Sequence, residues 1–422
     1  MQVKTDIIES IYHSQNMSEL RLNTGRVYTA NLRLGNLGCV SDSETLKLYN
    51  SSSGVYSLIK NIYLYDGNQL LDQILDAHHL FAFRNLLNKG IAKNINAYNY
   101  NIGQQLVGLS NAYQDIKDST DTDLTPELNY VEQIPVDSKC FVTNDKDTTF
   151  KGWMNLENQF SFLRSLIYSE NGQQMQYVDT NVFRNFRIVI EWRSTAELNS
   201  CFQGTTTNIK FNILSPQLYC DEVIGLSLPQ QLTSAYLVYE VDKMYCPPTV
   251  AQVASMTKAR LNAFNGKNLQ KILMMNIEPT QLKDDDPDNR DIIKCDGSVA
   301  YENEVLQLVI NGKTLFDFNG IDSDARKLII TTDTWGDLNI PLGSYNSIIN
   351  DNDDENLDAA SSSLMGRISY VGCQVQQRIV DFTVEHSRTS QYNDKPSMFI
   401  YVWGEVVKQI QISGGQYVIS YA

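Results

Sequence analysis

Residues 153–192 read WMNLENQFSFLRSLIYSENGQQMQYVDTNVFRNFRIVIEW, and the closing run of this stretch decides the fold. Ile188, Ile190 and Trp192 alternate with Arg187, Glu191 and Arg193. A period of two describes a strand with one face in a core. A diluted copy lies in the C-terminal half, where Trp335, Asp337, Leu338 and Leu342 repeat the spacing of Trp153, Asn155, Leu156 and Phe160. Further on, QQRIVDFTVEH (376–386) predicts Val380, Phe382 and Val384 on one face. The expectation is two copies of one β-rich unit.

Upstream, residues 1–20 predict a short amphipathic arm, and RVYTANLRLGN (26–36) a strand with Tyr28, Ala30, Leu32 and Leu34 on one face. GVYSLIKNIYLYDGNQ (54–69) predicts a strand ending in the turn pair Asp66-Gly67. From Leu70 the spacing changes: Leu71, Ile74, Leu75, His78, Phe81, Ala82 and Leu86 predict a helix reaching roughly to Lys89-Gly90. Residues 90–150 are rich in Asn, Tyr and Asp and read as a long loop excursion with short strands.

Downstream, NIKFNILSPQLYCDEV (208–223) and YLVYEV (236–241) read as strands, and AQVASMTKARLNAF (251–264) has helical composition. KILMMNI (271–277) resembles RVYTANL (26–32). Gly67 follows Asn31 by 36 residues, and Gly312 follows Asn276 by the same 36. The helix and loop at 70–150 explain the excess length of the first half, and NDNDDENLDAA (350–360) reads as an acidic surface insertion in the second. The boundary falls between about 222 and 250, giving units at 1–225 and 226–422. Helices do not alternate with strands, which disfavours a parallel α/β sheet. The fold class is all-β: two tandem eight-stranded sandwiches with a few short helices in loops.

The 422 residues suffice for two full cores. A net charge of −15 without any basic block argues against an extended nucleic-acid surface. The seven cysteines (39, 140, 201, 220, 246, 295 and 373) form no CxxC and read as buried free thiols from a reducing compartment. The start lacks an apolar h-region, so no signal peptide is expected, and no run is long and apolar enough for a transmembrane helix. Asn16-Met17-Ser18 and Asn50-Ser51-Ser52 fit the glycosylation pattern and, without secretion, read as chance.

No catalytic constellation emerges. GxSxG, GxxxxGK[ST] and GxGxxG are all missing. His78 and His79 are adjacent, so on a helix they point about 100° apart and cannot share one metal as an i, i+4 pair can. His386 follows a core strand and is expected to pack there or cap it. The acidic clusters Asp284–Asp288 and Asp351–Glu355 lack the glycine and bidentate Glu of an EF-hand loop and read as solvated loops, as do Asp118, Asp121 and Asp123. The four tryptophans read as core or interface anchors. The expectation is a chain with no catalytic residues, no cofactor and no metal.

LENQFSFLRSL (156–166), FRNFRIVIEW (183–192), WGDLNIPLGSY (335–345), QQRIVDFTVEHSR (376–388), MFIYVWGEV (398–406) and GGQYVISY (414–421) together resemble the double jelly-roll major capsid proteins of tailless icosahedral DNA viruses, most closely those of Polinton-like viruses and virophages. The resemblance implies a homotrimer that acts as a pseudo-hexameric brick of an icosahedral shell around double-stranded DNA. It implies neighbouring capsomers, minor capsid and penton (vertex) proteins as partners, without specific nucleic-acid recognition, and a place in the virion after synthesis in the host cytoplasm. On this reading the 90–150 and 350–360 loops sit at the sandwich ends. Two rivals of other classes are a carbohydrate- or receptor-binding tandem β-sandwich, such as a spike or lectin, and a glycanase of the amidase type on a jelly-roll scaffold.

Overall fold

The FRIVIEW run is a strand in the computed structural model, which describes residues 2–41, 47–48, 54–86, 141–143, 148–170, 173–194, 197, 202–203, 211–250, 252–277, 304–316, 320–336, 370–389 and 397–422. Eight strands frame the first half: β1 (Gln2–Glu9), β2 (Met17–Arg21), β3 (Arg33–Ser41), β4 (Ile59–Asp66), β5 (Gln69–Ile74), β6 (Thr148–Asn155), β7 (Phe186–Trp192) and β8 (Gln217–Ile224). Eight more frame the second: β9 (Gln231–Cys246), β10 (Ser255–Arg260), β11 (Asn268–Ile277), β12 (Val305–Ile310), β13 (Lys313–Thr314), β14 (Tyr370–Arg378), β15 (Phe382–Arg388) and β16 (Met398–Ser413).

In the first half the strands pair as β1-β8-β3-β6 and β2-β7-β4-β5, all antiparallel. In the second they pair as β9-β16-β11-β14 and β10-β15-β12-β13, also antiparallel. Each strand of one half therefore has a counterpart of the same rank in the other. Among the described residues no sheet mixes strands from the two halves. Short strands extend the frame, among them Val27–Thr29, Gln173–Asp179 and Phe211–Ile213 on the first sheet and Gln416–Tyr421 on β16. Ile188 and Ile190 are fully buried, as are Phe382 and Val384. The two inward rows fill equivalent cores, as aligned sheets require.

Helices occupy matching places. α1 (Ala77–Leu86) follows β5, and after β6 come the single turns α2 (Leu156–Gln159) and α3 (Ser161–Ser165). α4 (Asp324–Trp335) lies between β13 and β14, as α1 lies between β5 and β6. The turn glycines also match. Gly67 (φ 57) joins β4 to β5, and the pair Asn311 (φ 52) and Gly312 (φ 77) joins β12 to β13. A two-residue hairpin loop needs positive φ at such positions; Gly67-Asn68 meets that need at its first residue and Asn311-Gly312 at both.

Several expectations are corrected. The N-terminal arm is strand: β1 pairs with β8 along its length, and β2 with β7. The helix predicted from Leu70 begins only at Ala77, because Gln69–Ile74 pairs with β4. AQVASMTKARLNAF is not helical over Ser255–Arg260, which pairs with β15 as an edge strand. RVYTANLRLGN is two strands, Val27–Thr29 and the start of β3, although Tyr28, Ala30, Leu32 and Leu34 are all buried. Arg193 is buried rather than flanking, and donates to the Ser57 carbonyl. Val380 is 72 % exposed, in the turn before β15, where Asn311 Oδ1 accepts the Val380 and Asp381 amides. Trp335 closes a helix, whereas Trp153 lies in β6, so the two tryptophans are not counterparts. The loops at 90–140 and 350–360, the acidic clusters at 284–288 and 351–355, and Asp118, Asp121 and Asp123 lie outside the described residues.

Candidate functional site

The second sandwich holds a buried ionic cluster at the end where α4 meets its two sheets. Period two along β12 places Leu306, Leu308 and Ile310 inward and carries Glu304, just ahead of the strand, into the same row. Glu304 Oε2 accepts from Lys327 Nζ of α4 at 2.5 Å. Its Oε1 accepts from Asn276 Nδ2 of β11 at 2.5 Å and lies 2.7 Å from His386 Nε2 of β15. Cys246 Sγ of β9 lies 3.8 Å from His386 Nδ1. Burial alone would push the Glu304 carboxyl up, but the Lys327 charge and the His386 hydrogen bond outweigh it and lower it to about 2.

A thiol, an imidazole and a carboxylate in line resemble a nucleophilic relay, but the chemistry is missing. Burial raises the Cys246 thiol to about 11, away from the thiolate that would attack. Cys246, His386 and Glu304 are each no more than 4 % exposed. The cluster ties α4 to both sheets. His386 accordingly sits within β15 and faces the core, rather than following the strand.

His78 and His79 open α1 with ring centroids 3.9 Å apart, both buried. Burial, followed by the neighbouring His79, lowers the His78 pKa well below its ordinary value. Among the described residues no group of three or more His, Cys, Asp or Glu is placed to hold a metal. Cys39, Cys220, Cys246 and Cys373 are buried, while positions 140, 201 and 295 lie outside the described residues. Among the described residues no helix is long and apolar enough to cross a membrane. Trp192 and Trp403 are buried and Trp335 is partly buried against the core, but Trp153 is 39 % exposed.

The most developed surface is the seam between the halves. Cross-strand pairs Trp403↔Leu273↔Gly372 and Tyr401↔Met275↔Tyr370 lie on the face of β9-β16-β11-β14 that points away from its own sandwich. Helix α1 covers that face. His79 packs edge-on against Tyr401 (5.4 Å) and Trp403 (6.1 Å), and Phe83 against Tyr370 (5.2 Å) and Trp335 (5.6 Å). Trp403 Nε1 donates to the Leu75 carbonyl at 3.0 Å, and Tyr236 OH to the Leu71 carbonyl at 2.8 Å. The Ser161 hydroxyl of α3 donates to the Leu237 carbonyl and accepts the Leu237 amide, closing the edge of β9. Lys243 pairs with Asp76 at 2.9 Å. Asp72, buried at this seam, accepts the amides of Gln73 and Phe162, yet burial outweighs those bonds and raises its carboxyl to about 7.

The sequence reading missed Glu304, Lys327, Asn276 and Asp72. Glu304 was within reach, since the parity of Leu306 and Leu308 extends to it. Lys327 was not, because a lysine inside a helix carries no burial signal of its own.

No protein-family model matches the chain, and no curated protein matches it in sequence. Solved structures do match in fold. A chain of the Sputnik virophage is 12 % identical with a TM-score of 0.58, over 100 % of this chain and 88 % of that one. The mavirus major capsid protein is 8 % identical with a TM-score of 0.54, over 99 % and 90 %. A chain of the PBCV-1 virus capsid is 11 % identical with a TM-score of 0.53, over 100 % and 97 %. The tandem strand order and these likenesses together give the chain the double jelly-roll fold of viral major capsid proteins.

Proposed function

We propose that the protein is a structural major capsid protein, with jelly rolls at 1–225 and 226–422, that forms homotrimeric, pseudo-hexameric capsomers. These tile an icosahedral shell around a double-stranded DNA genome. The observation that carries the reading is the matched strand order of the two halves. A chain with two similar sandwiches presents two similar sets of lateral faces, so three chains around one axis offer nearly six-fold edges. The partners are then copies of itself, neighbouring capsomers, and minor capsid and penton proteins. The chain is made in the host cytoplasm and works in the virion.

Two features support a load-bearing shell over catalysis or glycan binding. The polar cluster most like an active site is closed to solvent. Among the described residues the large exposed aromatics Tyr12, Trp153, Tyr245 and Tyr421 lie on four separate strands. Light scattering on the purified protein tests the proposal. A particle of three times the 47.9 kDa chain mass is expected, and electron micrographs at high concentration should show shells or hexagonal arrays. A monomer that binds glycans and never assembles would overturn it.

A further inference from the structure

The seam within the chain has a counterpart that one copy leaves open. Helix α1 crosses from the first half to cover the outer face of β9-β16-β11-β14. The sheet of equivalent rank is β1-β8-β3-β6. Its outer face carries the cross-strand pair Ile7↔Tyr219, and Trp153 packs against Tyr219 with the rings tilted and their centroids 4.6 Å apart. Gly35 lies beneath both rings, where a Cβ would come within 2.6 Å of Tyr219 and 2.8 Å of Trp153. The backbone of β3 thus makes room for an aromatic pair on this face. Ile7 is 54 % exposed and Trp153 39 %.

Helix α4, the counterpart of α1, shows the complementary gap. Lys327 and Thr331 fix one side of it to its own sandwich, with Thr331 Oγ1 accepting the Gly372 amide. The opposite stripe, Ala325, Ile329 and Asp333, faces solvent at i, i+4 spacing, with Ile329 59 % exposed. On α1 the equivalent i, i+4 pair, His79 and Phe83, is what docks on the other half.

We infer that the outer face of β1-β8-β3-β6 receives helix α4 of a second copy of this chain, with Ile329 against Ile7, Tyr219 and Trp153. The contact between copies then repeats the contact between halves. It is head-to-tail, with a different patch on each partner, a contact type that closes into a ring when its rotation is a whole fraction of a turn. With two sandwiches per copy, three copies close on six similar contacts. This assignment rests on the trimeric reading above and adds which faces meet.

The test compares wild type, Ile329→Glu, Ile7→Glu and the control Met256→Glu, whose side chain is 70 % exposed on β10. Each is examined by size-exclusion chromatography with light scattering, and circular dichroism checks folding. Wild type and Met256→Glu should be trimers, and Ile329→Glu and Ile7→Glu folded monomers. An equimolar mixture of the two monomeric variants should give dimers, because it joins one intact helix to one intact sheet face. If both variants stay trimeric, the assignment of faces is overturned while the trimer stands. If wild type is a monomer, the trimeric reading itself fails and takes the assignment with it. Should a variant not fold, oxidative labelling of Trp153 in wild type decides. Protection in the assembly relative to diluted protein supports the contact, and equal labelling overturns it.

Discussion

Strands β7 and β15 hold the same rank in their halves and begin alike, then part company. In β7 the inward row runs Phe186, Ile188, Ile190, Trp192, and the row ends with Trp192 Nε1 donating to Ser18 Oγ at 2.8 Å. In β15 it runs Phe382, Val384, His386, Arg388, and the last two positions meet Glu304 and the Pro247 carbonyl. One strand order thus accepts two chemistries at the same end of the sandwich. The apolar end gains from burial directly. The ionic end gains only while every partner is in place, because an unpaired buried charge is costly. What it supplies instead is direction. Lys327 can meet Glu304 only if α4 lies in one position on the sheet edges.

The largest expected effect follows from that asymmetry. Lys327→Met leaves Glu304 buried beside His386 without its ammonium partner and should cost about 3–5 kcal/mol. Ser18→Ala, at the equivalent end of the first half, removes the hydroxyl that partners the Trp192 indole N–H and His13 Nδ1 and should cost about 1–3 kcal/mol. Urea denaturation measures both. Equal losses would mean that the two ends carry equivalent loads. Adding Glu304→Leu to Lys327→Met should recover part of the larger loss, since the orphaned charge goes with it.

Acid and base sharpen the contrast between the sandwich end and the seam. The folded Glu304 carboxyl, near 2, lies below the about 4.3 of an unfolded glutamate, so the fold favours its ionised form. That stability is whole above about pH 4.3 and is lost as the pH falls toward 2. Asp72 behaves oppositely. At about 7 when folded, against about 3.9 unfolded, it is favoured in its protonated form. Its contribution is whole below about pH 3.9 and is lost as the pH rises through 7. Melting temperature should therefore fall on both sides of a maximum. Glu304→Gln should flatten the acid side and Asp72→Asn the fall between pH 4 and 7. If Asp72→Asn leaves that slope intact, the seam is not where it originates.

How far the sequence spoke depended on which faces a segment buries. β7 and the inward row of β15 were legible because one face is wet and the period of two shows through. β5 was misread as helix because Leu71, Asp72, Gln73 and Ile74 are all buried, by the core on one side and the second half on the other. With both faces covered the alternation vanishes, and chance three- and four-residue spacings take its place. β10 failed for the reverse reason. Its outward row is Met256, Lys258 and Arg260 and its inward row Ser255, Thr257 and Ala259, so hydrophobicity carries no period. α4 escaped notice because polar Lys327 and Thr331 hold its inner side. The seam left one trace: Tyr401 and Trp403 are large aromatics in the row that alternation assigns to solvent. Large aromatics in that row call for a cover.

The smallest expected effect tests where the alternation of β15 begins. The sequence placed Val380 in the inward row with Phe382 and Val384, and spacing alone allows it. Asn311 prevents it: by accepting two consecutive amides it bends the chain at 380–381, so the strand starts one pleat later. A residue in the inward row would lose several kilocalories on truncation, whereas an exposed turn residue loses almost none. Val380→Ser should therefore shift the unfolding free energy by no more than about 0.5 kcal/mol. Asn311→Ala should cost more than Val380→Ser, because it frees the amides that hold the turn. A large loss at Val380 would restore it to the core and move the start of β15 with it.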